Sequence, residues 1–141
     1  RALLLLLLLV AVALGINVTL INKCPFIVNA RVKSGCGYHP LPLAPGLVEP
    51  HIFCGNTVRI KNEDSGKTEG YIAQLWFVNQ PLSTYNINIA AGFDIGMEIT
   101  PIDDLSLGTL SCTNANCFGG NTVNGTTNSY KGGFTFAFIC L

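Results

Sequence analysis

An apolar leader followed by six cysteines constrains this chain more than any other feature. A basic first residue precedes the unbroken run Leu3–Leu9, and small residues follow at Ala13 and Gly15. This order is typical of a secretory signal peptide, and the apolar segment is shorter than the roughly 20 residues that a membrane-spanning helix needs. We therefore expect residues 1–15 to be a signal peptide, cut after Ala13 or Gly15, and residues 16–141 to form one secreted domain.

An even number of cysteines behind such a leader predicts three disulfides, although 15 connectivities are possible. A zinc site is the alternative, but it requires short paired spacings, and only Cys112 and Cys117 lie close together, with no histidine nearby. Oxidised cysteines also exclude a catalytic thiolate. We expect neither a metal nor a cofactor. The six are Cys24, Cys36, Cys54, Cys112, Cys117 and Cys140.

The charge of the chain bears on its partners. Eight basic and eight acidic residues balance, and no cluster of basic residues is evident along the sequence. A nucleic-acid partner requires a Lys/Arg patch for its phosphates, so we expect none. For the same reason we expect no electrostatic membrane binding after signal cleavage. We expect the protein to be a monomer.

No segment has a sustained helical period. Short stretches rich in β-branched and aromatic residues alternate with turn residues instead. This pattern predicts an all-β fold, an antiparallel β-sandwich stapled by disulfides with little or no helix. Phe134, Phe136 and Phe138 share one face of the last strand and predict core. The predicted strands are Ile16–Asn22, Phe26–Lys33, Val48–Phe53, Thr57–Lys61, Tyr71–Val78, Thr84–Ile89, Ile95–Thr100 and Gly133–Cys140.

The stretch from Phe118 to Gly132 is polar and rich in Gly, Asn and Thr. It has too few apolar residues to pack, so we predict a surface loop. It contains the glycosylation sequon at Asn124, and a second sequon lies at Asn17 in a predicted strand. Elsewhere, Glu63–Gly66 predicts a hairpin turn, and Asp103-Asp104 a turn or a solvated pair.

Six short motifs follow one another along the chain in a characteristic order. They are Ile21–Phe26, Leu43–Gly46 followed by Glu49, Ile72–Phe77, Tyr85–Glu98, the C-x4-C spacing of Cys112 and Cys117, and Phe138–Cys140. Together they resemble the thaumatin-like proteins, and the resemblance implies the β-sandwich of the first thaumatin-like domain. The length and the cysteine count resemble the short members, such as those secreted by fungi, that lack the cysteine-rich second domain.

The resemblance also implies a disulfide between Cys24 and Cys140, which joins the first and last strands. In the larger members the two cysteines of C-x4-C pair with partners further along the chain. Those partners are absent here, so we infer a local Cys112–Cys117 bond, which leaves Cys36 with Cys54.

Thaumatin-like proteins have an acidic cleft associated with β-1,3-glucan binding and, in some members, weak hydrolysis. Here the cleft Glu falls on Gln74 and one cleft Asp on Asn86, whereas Glu98 keeps its acid. Glycoside hydrolysis usually needs two carboxylates, and on an extended strand Asp94 and Glu98 lie about 13 Å apart. These replacements disfavour an enzyme.

Binding is favoured by strand alternation. It places Gln74 and Trp76 on one face of their strand, and Asn86 and Asn88 on one face of the next. Amides bind hydroxyls, and an indole can stack on a sugar ring. The alternative is that Trp76 is a core residue and that the amides are ordinary solvent-facing strand residues. The candidate ligand-binding residues are Gln74, Trp76, Asn86, Asn88, Asp94 and Glu98.

We therefore expect a small secreted thaumatin-like protein, pathogenesis-related and non-catalytic. It would bind cell-wall carbohydrate such as β-1,3-glucan, or a host or microbial target. One alternative is a weak endo-β-1,3-glucanase that uses Glu98. Another is an inhibitor of a secreted glycoside hydrolase, with Gly37–Pro45 or Phe118–Lys131 as the contact loop.

Overall fold

A computed structural model describes residues 15–74, 83–102, 108–117, 122–127 and 133–141, with the backbone alone for 73–74, 83 and 122–127. Residues 1–14 of the predicted signal peptide, Trp76 and the Asp103-Asp104 turn lie outside the described residues. No helix in the described part of the chain has the length and apolar character needed to cross a membrane.

The described residues form eleven strands in two sheets packed face to face, which confirms the disulfide-stapled β-sandwich. The five-stranded sheet has the order β4-β1-β11-β8-β9, and the six-stranded sheet β10-β7-β6-β5-β2-β3. The strands are β1 Ile16–Asn22, β2 Val28–Ser34, β3 Gly37–Leu43, β4 Val48–Phe53, β5 Thr57–Asn62, β6 Glu69–Gln74, β7 Ser83–Asn88, β8 Gly96–Pro101, β9 Leu110–Cys112, β10 Thr122–Thr127 and β11 Phe134–Ile139.

The first and last strands are direct neighbours and run parallel, whereas the other described strand pairs are antiparallel. Parallel strands end on the same side, so Cys24 and Cys140, just beyond β1 and β11, meet and form a disulfide across a sequence separation of 116. Closing so long a loop stabilises the fold by on the order of 4–5 kcal/mol in the chain-entropy model.

The other two disulfides also join the residues inferred from the sequence. Cys36, in the turn between β2 and β3, is bonded to Cys54 at the end of β4. This bond links an edge of one sheet to an edge of the other. Cys112 is bonded to Cys117 across the turn that follows β9. Among the described residues no cysteine is free.

The core lies between the two sheets and is built from alternate residues of their strands. Phe134, Phe136 and Phe138 are fully buried, as predicted, and the rings of Phe136 and Phe138 meet edge to face at 5.1 Å. Gly70 of β6 faces this cluster. A Cβ atom on Gly70 would lie 2.1 Å from Cε2 of Phe136, so the sheets approach this closely only because residue 70 has no side chain.

The sequence-based strand assignment missed three strands. Part of the predicted loop Phe118–Gly132 is strand β10, and most of the predicted contact loop Gly37–Pro45 is β3. Both are edge strands of the six-stranded sheet. Edge strands tolerate proline, such as Pro40 and Pro42, and polar residues, so they lack the alternation that identifies central strands. The third, β9, spans only three residues.

A buried asparagine fastens the turn between β3 and β4. Asn22 is fully buried, and its Nδ2 donates to the carbonyl oxygens of Phe26 and Leu43 at 2.9 and 2.8 Å. Its Oδ1 accepts from the Cys24 N–H at 2.8 Å. Its own carbonyl accepts from the Gly46 N–H. The motif Asn22-Lys23-Cys24 therefore has a structural role, holding three chain segments beside the Cys24–Cys140 disulfide.

Candidate functional site

Two rows of side chains cross five strands of the six-stranded sheet on the side away from the core. Their strand neighbours Val32, Ile60, Ile72 and Ile87 are buried, so these side chains point outward and are exposed or half-buried. At about 4.8 Å per strand, each row spans roughly 19 Å. We call these ten residues the outer face: Tyr38, Lys33, Arg59, Tyr71 and Asn86 in one row, and Pro40, Arg31, Lys61, Glu69 and Asn88 in the other.

Four cations form a square at the centre of the outer face. Arg31 lies opposite Lys61, and Lys33 lies opposite Arg59, on the antiparallel strands β2 and β5. These are four of the eight Lys and Arg residues of the chain. The sequence-based view that the basic residues do not cluster is therefore wrong. We call these four residues the cation quartet.

The two same-strand pairs of the cation quartet could have been recognised from the sequence. Arg31-x-Lys33 and Arg59-x-Lys61 each lie in a predicted strand, and residues two apart share a face. The missing information was that β2 and β5 pair in this register, which local patterns do not show.

Three of the four cations lie over tyrosine rings. The Arg31 Cζ and the Lys33 Nζ lie 4.4 and 5.3 Å from the ring centroid of Tyr38. The Arg59 Cζ lies 5.1 Å from that of Tyr71. These distances are in the range of cation–π contacts.

The carboxylates near the quartet neutralise it only in part. Arg31 Nη1 is 4.0 Å from Glu63 Oε1. Within the described residues, no carboxylate lies within ion-pair distance of Lys33, Arg59 or Lys61. The centre of the outer face is therefore positively charged although the chain as a whole is neutral.

A groove of about 300 Å³ adjoins the quartet, lined by Arg59, Glu69, Tyr71, Asn86 and Asn88. Asn86 Oδ1 is buried and has no hydrogen-bond partner among the described residues. Asn88 Oδ1 accepts from the Ala90 N–H at 2.8 Å. An unpaired buried acceptor costs about 1–3 kcal/mol, a cost that a bound donor would remove. Two of the predicted site residues are thus brought together in one groove.

Asp94 lies elsewhere, in the connection between β7 and β8. Its carboxylate accepts hydrogen bonds from Asn62 Nδ2 at 3.3 Å, from the Thr68 N–H at 3.0 Å and from Ser65 Oγ. These donors belong to the β5–β6 hairpin, whose turn includes the predicted Glu63–Gly66 segment. The carboxylate of Asp94 is therefore occupied in fastening two connections together.

Glu98 is on the other sheet. Its neighbours Met97 and Ile99 in β8 are buried, so its side chain points to the outer side of the five-stranded sheet. There it lies 3.8 Å from Lys23 Nζ and 3.4 Å from Ser111 Oγ. Glu98 and Asn86 thus point outward from opposite sides of the sandwich. The structure does not combine them in one cleft.

For two of the remaining predicted residues, Gln74 and Asn124, the structure describes only the backbone. Gln74 is the last residue of β6 and pairs with Thr57. The sequon residue Asn124 pairs with Asn86 across β10 and β7. The other sequon residue, Asn17, is exposed on β1. Glycosylation of either asparagine stays a prediction.

A second groove of about 300 Å³ lies beside the Cys36–Cys54 disulfide. It includes His39 and His51, whose rings lie 6.3 and 5.5 Å from that of Phe53. Both histidines line the groove because β3 and β4, which carry them, flank the same disulfide. No group of three potential metal ligands occurs in the part of the chain that the structure describes.

Comparisons with known proteins locate the fold. The chain shares its fold with the protein elicitor MoHrip2 from Magnaporthe oryzae, whose crystal structure gives a TM-score of 0.63 over 87% of this chain and 98% of that chain. The sequences are 12% identical, so this likeness shows the fold alone. No protein-family model matches the chain, and no curated protein matches its sequence.

These comparisons overturn the predicted membership of the thaumatin-like proteins. No family model supports it, and a solved structure that shares the fold is described as a protein elicitor. The motifs quoted above do not establish that membership, and the acidic cleft inferred from it loses its basis. The three disulfides and the sandwich stand on the structure itself.

Proposed function

We propose that this protein is a secreted, non-catalytic recognition protein that binds cell-wall polysaccharide through its outer face. The observation that carries the proposal is the groove beside Tyr71, where Asn86 contributes a buried carbonyl oxygen without a described partner. Asparagine amides donate to and accept from sugar hydroxyls, and a tyrosine combines an apolar ring with a polar tip.

Two observations support a role outside the cell. Three disulfides are typical of proteins that fold in oxidising compartments. A structural neighbour is described as a protein elicitor, a description compatible with secretion. The apolar leader predicted from the sequence agrees with both.

The placement of the acids supports binding without catalysis. Glycosidases usually need two carboxyl groups across the scissile bond, roughly 5–9.5 Å apart. Of the residues that line the groove, only Glu69 carries a carboxylate. Asp94 is held by three donors, and Glu98 is on the opposite side of the sandwich.

The test is co-sedimentation with insoluble polysaccharides, β-1,3-glucan among them, alongside a reducing-sugar assay. We expect binding without sugar release, and weaker binding for the double variant Asn86→Ala/Asn88→Ala. Glu98→Gln is the matched control because it changes the opposite face. Binding that survives the double variant would exclude the groove as the site. Sugar release that Glu98→Gln abolishes would refute the non-catalytic proposal in favour of the glucanase alternative.

A further inference from the structure

The groove continues into the cation quartet, and this continuity indicates the chemistry of the ligand. Arg59 belongs to both: it lines the groove with Asn86 and lies opposite Lys33 in the quartet. We infer that the polysaccharide is acidic, with carboxylates along its chain as in a polyuronate. The inference rests on the proposed function and specifies its ligand class.

The arrangement of the quartet has a cost without an anion. Like charges directly opposite each other on antiparallel strands are destabilising, and two such pairs, Arg31 with Lys61 and Lys33 with Arg59, are adjacent here. The chain has as many acidic as basic residues, so an excess of basic residues does not explain why four of them lie together. A ligand carboxylate between the strands would relieve this repulsion.

The cations are positioned to bind a carboxylate while neighbouring groups bind the sugar. Arginine donates paired hydrogen bonds to carboxylates, and the contact of Arg59 with Tyr71 restrains its guanidinium. The adjacent Asn86 and Asn88 offer hydrogen bonds to hydroxyls. A polymer lying along the rows would meet amides and a tyrosine at one end and Lys33 with Tyr38 further on.

The charge density favours a polyuronate over a nucleic acid or an anionic membrane. Duplex DNA carries one charge per about 1.7 Å of its axis. The four cations here are bordered by Glu63, beside Arg31, and by Glu69, opposite Lys61. The Glu63 and Glu69 carboxylates would repel a densely charged polymer. An acidic polysaccharide has at most about one carboxylate per sugar ring, and its hydroxyls can donate hydrogen bonds to Glu63 and Glu69.

The experiment compares polygalacturonate with the same polymer after carboxyl reduction, so that only the charge differs. Binding to each is measured by calorimetry at low and at physiological salt. We expect polygalacturonate to bind roughly tenfold tighter or more, as loss of a charge-assisted hydrogen bond implies. We also expect this preference to shrink as salt rises.

Charge-removing variants locate the site. Lys33→Gln and Arg59→Gln should each weaken polygalacturonate binding by about tenfold, whereas Lys67→Gln, which removes an exposed charge outside the quartet, should change it by less than about twofold. Thermal unfolding shows whether weaker binding comes from loss of the fold. Because removing one of two opposed like charges relieves repulsion, Lys33→Gln should unfold at the same temperature as the parent or higher.

The outcomes separate the inference from the proposed function. Equal binding of the reduced and the charged polymer, sensitive to Asn86→Ala/Asn88→Ala, would overturn the inference and retain the function. Binding of no polysaccharide would overturn both. Tighter binding to phosphatidylserine vesicles or to single-stranded DNA than to polygalacturonate would also overturn the inference.

Discussion

Thr68 and Asp94 hold each other reciprocally. The Thr68 N–H donates to Asp94 Oδ1 at 3.0 Å, and the Asp94 N–H donates to Thr68 Oγ1 at 3.0 Å. Thr68 is fully buried, and Asp94 is half-buried. The pair joins the chain just before β6 to the connection after β7, the two strands that carry the groove residues Tyr71 and Asn86.

Removing this carboxylate should destabilise the fold. In Asp94→Ala the buried Thr68 N–H loses its acceptor, which costs about 1–3 kcal/mol. Urea unfolding at neutral pH measures the loss. Asp64→Ala is the matched control, because Asp64 contacts Asn29 in an exposed position at 3.3 Å, and a change near zero is expected. Equal stability of the two variants would contradict the role assigned to Asp94.

Gly70→Ala tests the closest approach of the two sheets. The added Cβ would overlap the Phe136 ring, and overpacking of a core typically costs 1–3 kcal/mol. Gly70→Ala should cost less in a Phe136→Leu background than in the parent, because the smaller side chain leaves room for the added Cβ. A double-mutant cycle by thermal unfolding measures this coupling, and strictly additive effects would show that Gly70 and Phe136 do not interact.

Tyr85 should make the fold sensitive to alkali. Burial raises the pKa of its hydroxyl above the usual value near 10, and the hydroxyl donates to the Gly108 carbonyl at 3.1 Å. The folded state therefore favours the protonated form. The stability that the protonated Tyr85 hydroxyl contributes to the fold is complete below pH 10. It is lost as the pH rises through the folded-state pKa, because the unfolded chain releases the proton first.

Tyr85→Phe separates the two effects of this hydroxyl. At neutral pH the variant should be about 0.5–1.5 kcal/mol less stable for the lost hydrogen bond. Its stability should fall less than that of the parent above pH 10. Unfolding curves at pH 7 to 11 measure both, and parallel pH profiles for the two proteins would show that Tyr85 titrates as an ordinary exposed tyrosine.

The disulfides should differ in their contributions according to the loops that they close. Cys24 and Cys140 are separated by 116 residues, and Cys112 and Cys117 by 5. The chain-entropy model predicts losses of about 5 kcal/mol for Cys24→Ala/Cys140→Ala and about 2 kcal/mol for Cys112→Ala/Cys117→Ala. Both pairs are at least partly buried, so each double variant also loses packing. Urea unfolding that ranks the pairs in the opposite order would contradict the loop argument.

How much of the site could be predicted from the sequence varies by residue. Alternation identified Asn86 and Asn88 as one face of β7, and the structure places both in the groove. Glu98 was assigned to a cleft, together with Gln74 and Asn86, through a family resemblance that the comparisons do not support. Asp94 was considered only as a second carboxylate beside Glu98. A short motif such as C-x4-C reflects only a local turn closed by a disulfide. Unrelated β proteins also contain such turns, so the motif does not identify a family.

The cysteines and the strand alternation, both read from the sequence alone, determined that this chain forms a disulfide-stapled β-sandwich. Alternation is a local property, because successive side chains of any strand point to opposite faces. Only the tertiary structure decided that β2 pairs with β5 and that β1 and β11 are hydrogen-bonded in parallel. Strand pairing depends on burial across the whole sheet, between residues distant in sequence. The six cysteines were therefore visible from the start, whereas the cation quartet appeared only once the strands were paired.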